Sequence, residues 1–168
     1  MPPSRIFTLE KLSELAEALL VFSGTIEVMG EELTTAEERD ALLDRTRTIA
    51  VIGVSSDPAR ASNDVSAYLL EHSGFELYFV NPRETELLGR PAYASLADVP
   101  VVPDMVDVFR RSEQLSAVVD EAIEVGAKSV WFQLGLRNDA AAAAAVHAGL
   151  DVVQDRCLKI DHRMRAKL

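Results

Sequence analysis

The chain has 168 residues and a mass of 18.4 kDa, enough for one domain with a short extension. Apolar residues make up 48 % of it, which excludes wholesale disorder. An excess of 27 acidic over 17 basic residues gives a net charge of −10, which speaks against nucleic-acid binding, because phosphate contact needs a basic face.

Residues 1–46 carry most of that excess, with 10 acids and 4 bases. Within them Leu9, Leu12, Leu15, Ala16, Leu19 and Leu20 recur at three- and four-residue steps, predicting an amphipathic helix between Thr8 and Phe22 that stops at Gly24. Thr35 followed three residues later by Glu38 is a capping-box pattern and predicts a second helix running to about Arg45. These residues are read as a helical extension packed on the main domain or on another subunit. The acidic polar face argues against a membrane-surface helix. No apolar run approaches the roughly 20 residues of a membrane span. Met1-Pro2-Pro3-Ser4-Arg5 has none of the marks of a secretory leader, and the single cysteine, Cys157, excludes an internal disulfide framework. The expected location is the cytoplasm.

From residue 47 the periodicity changes. Thr48–Val54 is a continuous apolar run, the mark of a strand buried on both faces. A helix is predicted from about Asn63 to His72, a second strand over Phe75–Val80, and a third over Met105–Phe109 after a proline-punctuated stretch with one helical turn near Ser95–Asp98. Ser112 then caps a helix to about Val125, Ser129–Gln133 is strand four, Asn138 opens an alanine-rich helix ending at Gly149, and Asp151–Val153 is strand five. Strands alternating with helices at this spacing predict an α/β fold. It is a doubly wound, parallel, Rossmann-like sheet of five strands or slightly more. In such a sheet the ligand crevice lies beyond the carboxyl ends of the strands, at the switch point.

The residues at those ends read as a nucleotide site. After strand one, Gly53 permits close backbone approach, Ser55, Ser56, Ser62 and Asn63 are hydrogen-bonding groups for a phosphate, and Arg60 adds charge. The full G-x-G-x-x-G fingerprint and the Walker loop are both missing, and an ordinary serine-capped turn is the plainer reading. After strand two stands Asn81-Pro82-Arg83, where a site for unphosphorylated NAD usually has an acid. An arginine there favours a ribose phosphate, as in coenzyme A or NADP. Phe109, Arg110 and Arg111 follow strand three, and Gln133 and Gly135 follow strand four, while Trp131 is read as core. Arg110 and Arg111 could alternatively pair with Glu113 or Asp107.

Chemistry-bearing residues are few. His72, His147 and His162 lack metal-ligand spacing, no metal site is expected, and no nucleophile–base pair can be assigned, so no catalytic residue is named. Cys157 has Arg156 and Lys159 nearby in sequence, a setting for redox or thiol exchange, with a small buried cysteine as the plainer alternative.

Five segments in order, Ile49–Ser55, Val80–Arg83, Val106–Arg110, Trp131–Gly135 and Asp155–Cys157, resemble the stand-alone CoA-binding domain proteins of bacteria and archaea. More distantly they resemble the N-terminal domain of the succinyl-CoA synthetase alpha subunit. The resemblance runs from about residue 35 to the C-terminus. It implies that CoA or an acyl-CoA is held with its pyrophosphate at the Gly53–Asn63 loop. Asn81, Pro82 and Arg83 would then flank the adenosine and its 3′-phosphate, and Phe109, Arg110, Gln133 and Gly135 would line the way to the pantetheine arm. The synthetases also use a domain with a phosphorylated histidine and a nucleotide-grasping partner. This chain stops shortly after strand five, so it is expected to bind rather than to ligate, as a carrier, sensor or subunit. The alternatives are an NADP-dependent oxidoreductase or acyl transfer at Cys157. The apolar stripe of the first helix offers a contact for a homodimer or a partner enzyme.

Overall fold

The computed structural model describes residues 27–165. The helix expected over Thr8–Phe22 lies outside them. The first helix, α1 (Ala36–Arg45), opens on the anticipated capping box: Thr35 Oγ1 accepts from the Glu38 amide, and the Glu38 carboxylate accepts from the amides of Thr35 and Thr34. The other elements are β1 (Thr48–Ile52), α2 (Ala61–His72), β2 (Glu76–Val80), β3 (Glu86–Leu87), β4 (Arg90–Tyr93), β5 (Met105–Val108), α3 (Leu115–Glu124), β6 (Ser129–Phe132), α4 (Asp139–His147), β7 (Asp151–Val153) and α5 (Leu158–Arg165).

The strands form one sheet in the order β3-β4-β2-β1-β5-β6-β7, parallel throughout except for β3. The chain runs outward from β1 through β2 to β4, then returns to β5 on the other side of β1 and proceeds outward to β7. The switch point therefore lies between β1 and β5. The sheet has seven strands, the five named from the sequence and two more, because the stretch before β5 holds a small antiparallel hairpin. Leu88 and Gly89 form its two-residue turn, both at positive φ (51° and 73°), and Leu88 tolerates this while packing on the core.

Both faces of the sheet are covered. Ala50, Ile52, Val106, Val108, Val130 and Phe132 face α3 and α4, while Ile49, Val51, Met105 and Trp131 face α1, α2 and α5. This alternation explains why β1, β5 and β6 read as unbroken apolar runs: each side chain meets a helix whichever way it points. Trp131, placed in the core from sequence, is fully buried and donates its indole N–H to the Arg156 carbonyl at 2.8 Å.

Two features were not anticipated. The helix α5 follows strand five and is tied to α1 by Asp161, whose carboxylate accepts from Arg39 Nε (3.1 Å) and from Arg156 Nε and Nη2. Arg39 and Asp161 are both buried. The residues before α1 also join the sheet: Leu33 donates to the Val152 carbonyl and Val152 donates to the Glu31 carbonyl, so this segment pairs in parallel along the outer edge of β7. The helix predicted to start at Ser112 begins instead as a 3₁₀ turn over Ser112–Gln114 and becomes α-helical at Leu115.

Candidate functional site

Loops at the carboxyl ends of β1, β2, β5 and β6 enclose three adjoining cavities. The first, about 470 Å³, lies on the α3 side between Ile52, Val80, Pro82, Ala94, Ser95, Arg110, Gln114 and Ala117. The second, about 510 Å³, sits over the switch point and is lined by Gly53, Val54, Ser55, Asn81, Pro82, Arg83, Glu84, Arg110 and Arg111. The third, about 470 Å³, lies on the α2 side and is lined by Ser62, Val65, Phe109, Gln133, Leu134 and Cys157, with Arg110 and Arg111 at its border. Arg110 borders all three, so they meet around its side chain and together make up a cleft at the sheet end.

Gly53 earns its place through the fold. It takes φ of +85°, and a Cβ there would lie 2.3 Å from the Phe109 carbonyl oxygen. The β1 and β5 loops thus pass so close that only glycine fits, and this opens the middle cavity above them. Asn81 holds the β2 loop: its Nδ2 donates to the Val54 carbonyl (2.8 Å) and its Oδ1 accepts from the Arg83 amide (2.9 Å). Ser56 Oγ donates to Glu84 at 2.8 Å, linking the β1 and β2 loops across the cleft.

The charge pattern is the clearest feature. Arg83, Arg110 and Arg111 line the middle cavity, and none of them forms an ion pair among the described residues. The alternative pairing of Arg110 and Arg111 with Glu113 or Asp107 is not formed. In a chain of net charge −10, three arginines without a carboxylate partner around one concavity make a local field that attracts anions. The first turn of α2 adds to it, opening without a side-chain cap at Arg60 and presenting Ala61 and Ser62 to the third cavity.

The structure brings together Gly53, Ser55, Asn81, Pro82 and Arg83 in the middle cavity, and Ser62, Phe109, Gln133 and Cys157 in the third, with Arg110 joining the two. Ser56, Arg60, Asn63 and Gly135 are not among the lining residues. Arg60 is exposed and faces Asp57 at 4.0 Å, and Asn63 is buried with its Nδ2 donating to the Ser55 carbonyl. The Gly135 amide donates to Asp155. Of the residues lining the first cavity, sequence reasoning named only Pro82 and Arg110 as site candidates. The cavity's signal was the set of small residues Ala94, Ser95 and Ala117, which leave room above Ile52 and Val80.

Beneath the cleft lies an unanticipated carboxyl. Asp107, on β5 between Val51 and Trp131, is fully buried. Its Oδ1 accepts from Gln133 Nε2 at 2.7 Å, while Oδ2 has no partner among the described residues. Burial pushes its pKa up to about 7, against a smaller lowering by the Gln133 hydrogen bond. Gln133 in turn accepts from the Leu158 amide, so Asp107 orients the glutamine that walls the third cavity and steadies the start of α5 beside Cys157.

A family model described as a CoA binding domain matches residues 47–163. The chain is 40 % identical over 121 residues to the uncharacterized protein YneT of Bacillus subtilis, covering 72 % of this chain and 89 % of that one. It is 36 % identical over 84 residues to the alpha subunit of an ADP-forming acetate–CoA ligase of Pyrococcus furiosus, covering 50 % of this chain but only 18 % of the ligase subunit. Among solved structures, a hypothetical protein from Pyrococcus horikoshii superimposes with a TM-score of 0.76 at 40 % identity, covering 79 % of this chain and 93 % of that one. With the match spanning the whole sheet and every loop of the cleft, the chain belongs to the CoA-binding domain family.

Proposed function

We propose that this protein binds coenzyme A or an acyl-CoA in the cleft over the strand ends, as a non-catalytic cytoplasmic carrier, sensor or presenting subunit. The observation that carries this reading is the trio Arg83, Arg110 and Arg111, unpaired around the middle cavity of an acidic protein. Coenzyme A is a linear molecule with an adenine at one end, phosphates in the middle and a thiol arm at the other. The three cavities offer the same sequence of environments. The first supplies apolar walls from Ile52, Val80, Pro82 and Ala117 for a base, the second supplies cations for phosphates, and the third leads away along Phe109 to Cys157. Arg83, on the β2 loop, is the residue assigned to the ribose phosphate. Its backbone is fixed by Asn81, so its charge enters the cleft from a defined point.

The binding role is read from the unpaired cations of the cleft. Among the described residues no histidine lines it, and three carboxylates do: Glu84, which is engaged with Ser56 in the middle cavity, and Glu113 and Glu121 on the α3 side of the first. A thioester ligase or another enzyme could draw on the cargo through a surface contact.

Calorimetric titration with CoA, dephospho-CoA, NADP and NAD in one buffer tests the reading. CoA should bind, and more weakly without its 3′-phosphate. A preference for NADP would replace the reading with a hydride-transfer one, and binding of none would overturn it.

A second reading is favoured by the position of Cys157 on the wall of the third cavity, half-buried at the start of α5. The Cys157 thiolate would attack one sulfur of CoA disulfide, forming a protein–CoA disulfide and releasing the other half as CoA thiolate. Incubation with CoA disulfide should add the mass of one CoA to the native protein and none to Cys157→Ser. An unmodified native protein would leave Cys157 as packing alone.

A further inference from the structure

We propose, on the basis of the CoA reading above, that the third cavity selects ligands whose thiol end carries an apolar acyl chain, so that the preferred cargo is an acyl-CoA rather than free CoA. The argument rests on what its walls have left to offer. Ala61, Val65, Phe109, Leu134, Leu136 and Cys157 present hydrocarbon and sulfur to the space. The polar side chains on the wall are already partly engaged: Ser62 Oγ accepts from the Ser55 amide, and Gln133 is held by Asp107 on one side and by the Leu158 amide on the other. Only the two arginines at the border remain unpaired, and they face the phosphate cavity as well.

Free CoA and an acyl-CoA bring the same arm to this space, so the difference between them is the acyl chain, whose hydrocarbon is removed from water against apolar walls at no cost in hydrogen bonds. Leu134 is 68 % exposed although it sits at the rim of an otherwise apolar concavity. A chain running past it would cover both the leucine and the cavity floor. Continuity with the cationic cavity through Arg110 and Arg111 fixes the direction from which the chain arrives: its anionic end must lie over the switch point.

Titration of the full chain with CoA and with acetyl-, butyryl-, hexanoyl- and octanoyl-CoA gives the test. Affinity should rise by about two- to fourfold for each added methylene until the cavity is filled. In Leu134→Asp, an exposed position whose change leaves the core intact, the rise should flatten. Affinities that stay level along the series while CoA itself binds would overturn the inference and leave the CoA reading standing. A rise equally steep in Leu134→Asp would also overturn it, since the chain would then lie elsewhere. Failure of every CoA compound to bind would remove the CoA reading and this inference with it.

Discussion

Replacing Asp107 with asparagine removes a titrating group from the middle of the sheet while keeping its shape. The asparagine Oδ1 still accepts from Gln133, and its Nδ2 occupies the place of the Oδ2 that has no partner, much as the hydroxyl of the neutral acid does. Below about pH 3.8, the ordinary value for this group, folded and unfolded chains both hold the proton. As pH rises from there, the unfolded chain releases it while the folded chain retains it, so native stability falls until the buried carboxyl itself ionises near 7. At about 1.4 kcal/mol for each tenfold in proton affinity, the loss across that window is about 4 kcal/mol, and it is complete above it. The asparagine variant does not titrate there. Urea unfolding followed by the fluorescence of the single tryptophan, Trp131, should give nearly equal stabilities at pH 4 and a variant more stable by about 3–4 kcal/mol at pH 8. Taking the difference between two proteins cancels every other titration. Stability curves that run parallel from pH 4 to pH 8 would refute the reasoning, because the folded carboxyl would then titrate as the unfolded one does.

Arg83→Ala should weaken CoA by about 1.5–3 kcal/mol and dephospho-CoA far less, measured by calorimetry, and an equal loss for both would remove Arg83 as the reader of the ribose phosphate. Gly53→Ala forces a side chain into a positive-φ turn with its Cβ 2.3 Å from the Phe109 carbonyl, and should cost on the order of 2–4 kcal/mol in urea unfolding. An unaltered midpoint would mean that the two loops are not held this close. Asp161→Asn leaves the buried Arg39 guanidinium without its counter-charge, and a loss of about 3–5 kcal/mol is expected from the same assay. A change under about 0.5 kcal/mol would show that α1 and α5 are joined by packing alone.

Legibility followed burial. The unbroken apolar runs of β1, β5 and β6 and the capping box of α1 announce themselves because each residue there serves the same local and global structure. The β3–β4 hairpin does not. Its strands are two and four residues long, Pro91 lies inside one of them, and Leu88-Gly89 is a turn whose first residue gives no sign of a left-handed conformation. The helix α5 escaped for a related reason: Leu158 is its buried apolar residue, and much of its inward hold comes from a charged one, Asp161. The cleft itself could be placed, because the switch-point rule needs only the order of elements, and Gly53, Asn81, Arg83 and Arg110 stand at strand ends in the sequence. What sequence could not say is how hydrogen-bonding capacity is spent. Asn63 and Asn81 carry the right groups for a ligand, yet both bind the backbone of the β1 loop, and only coordinates distinguish a donor aimed at the cleft from one that builds its wall.

The pairing of residues 31–33 with β7 bears on how the protein should be handled. The family match begins at residue 47, and a fragment cut there would be a natural choice for expression. Such a fragment would lose Leu42 and Leu43 from the core and bare the Val152 amide and carbonyl along the outer edge of β7. A bare strand edge recruits other strands, including those of its own kind. The short stretch from Gly30 to Leu33 thus acts as a guard rail for the sheet, and its removal should appear as concentration-dependent association in light scattering before any change in ligand binding.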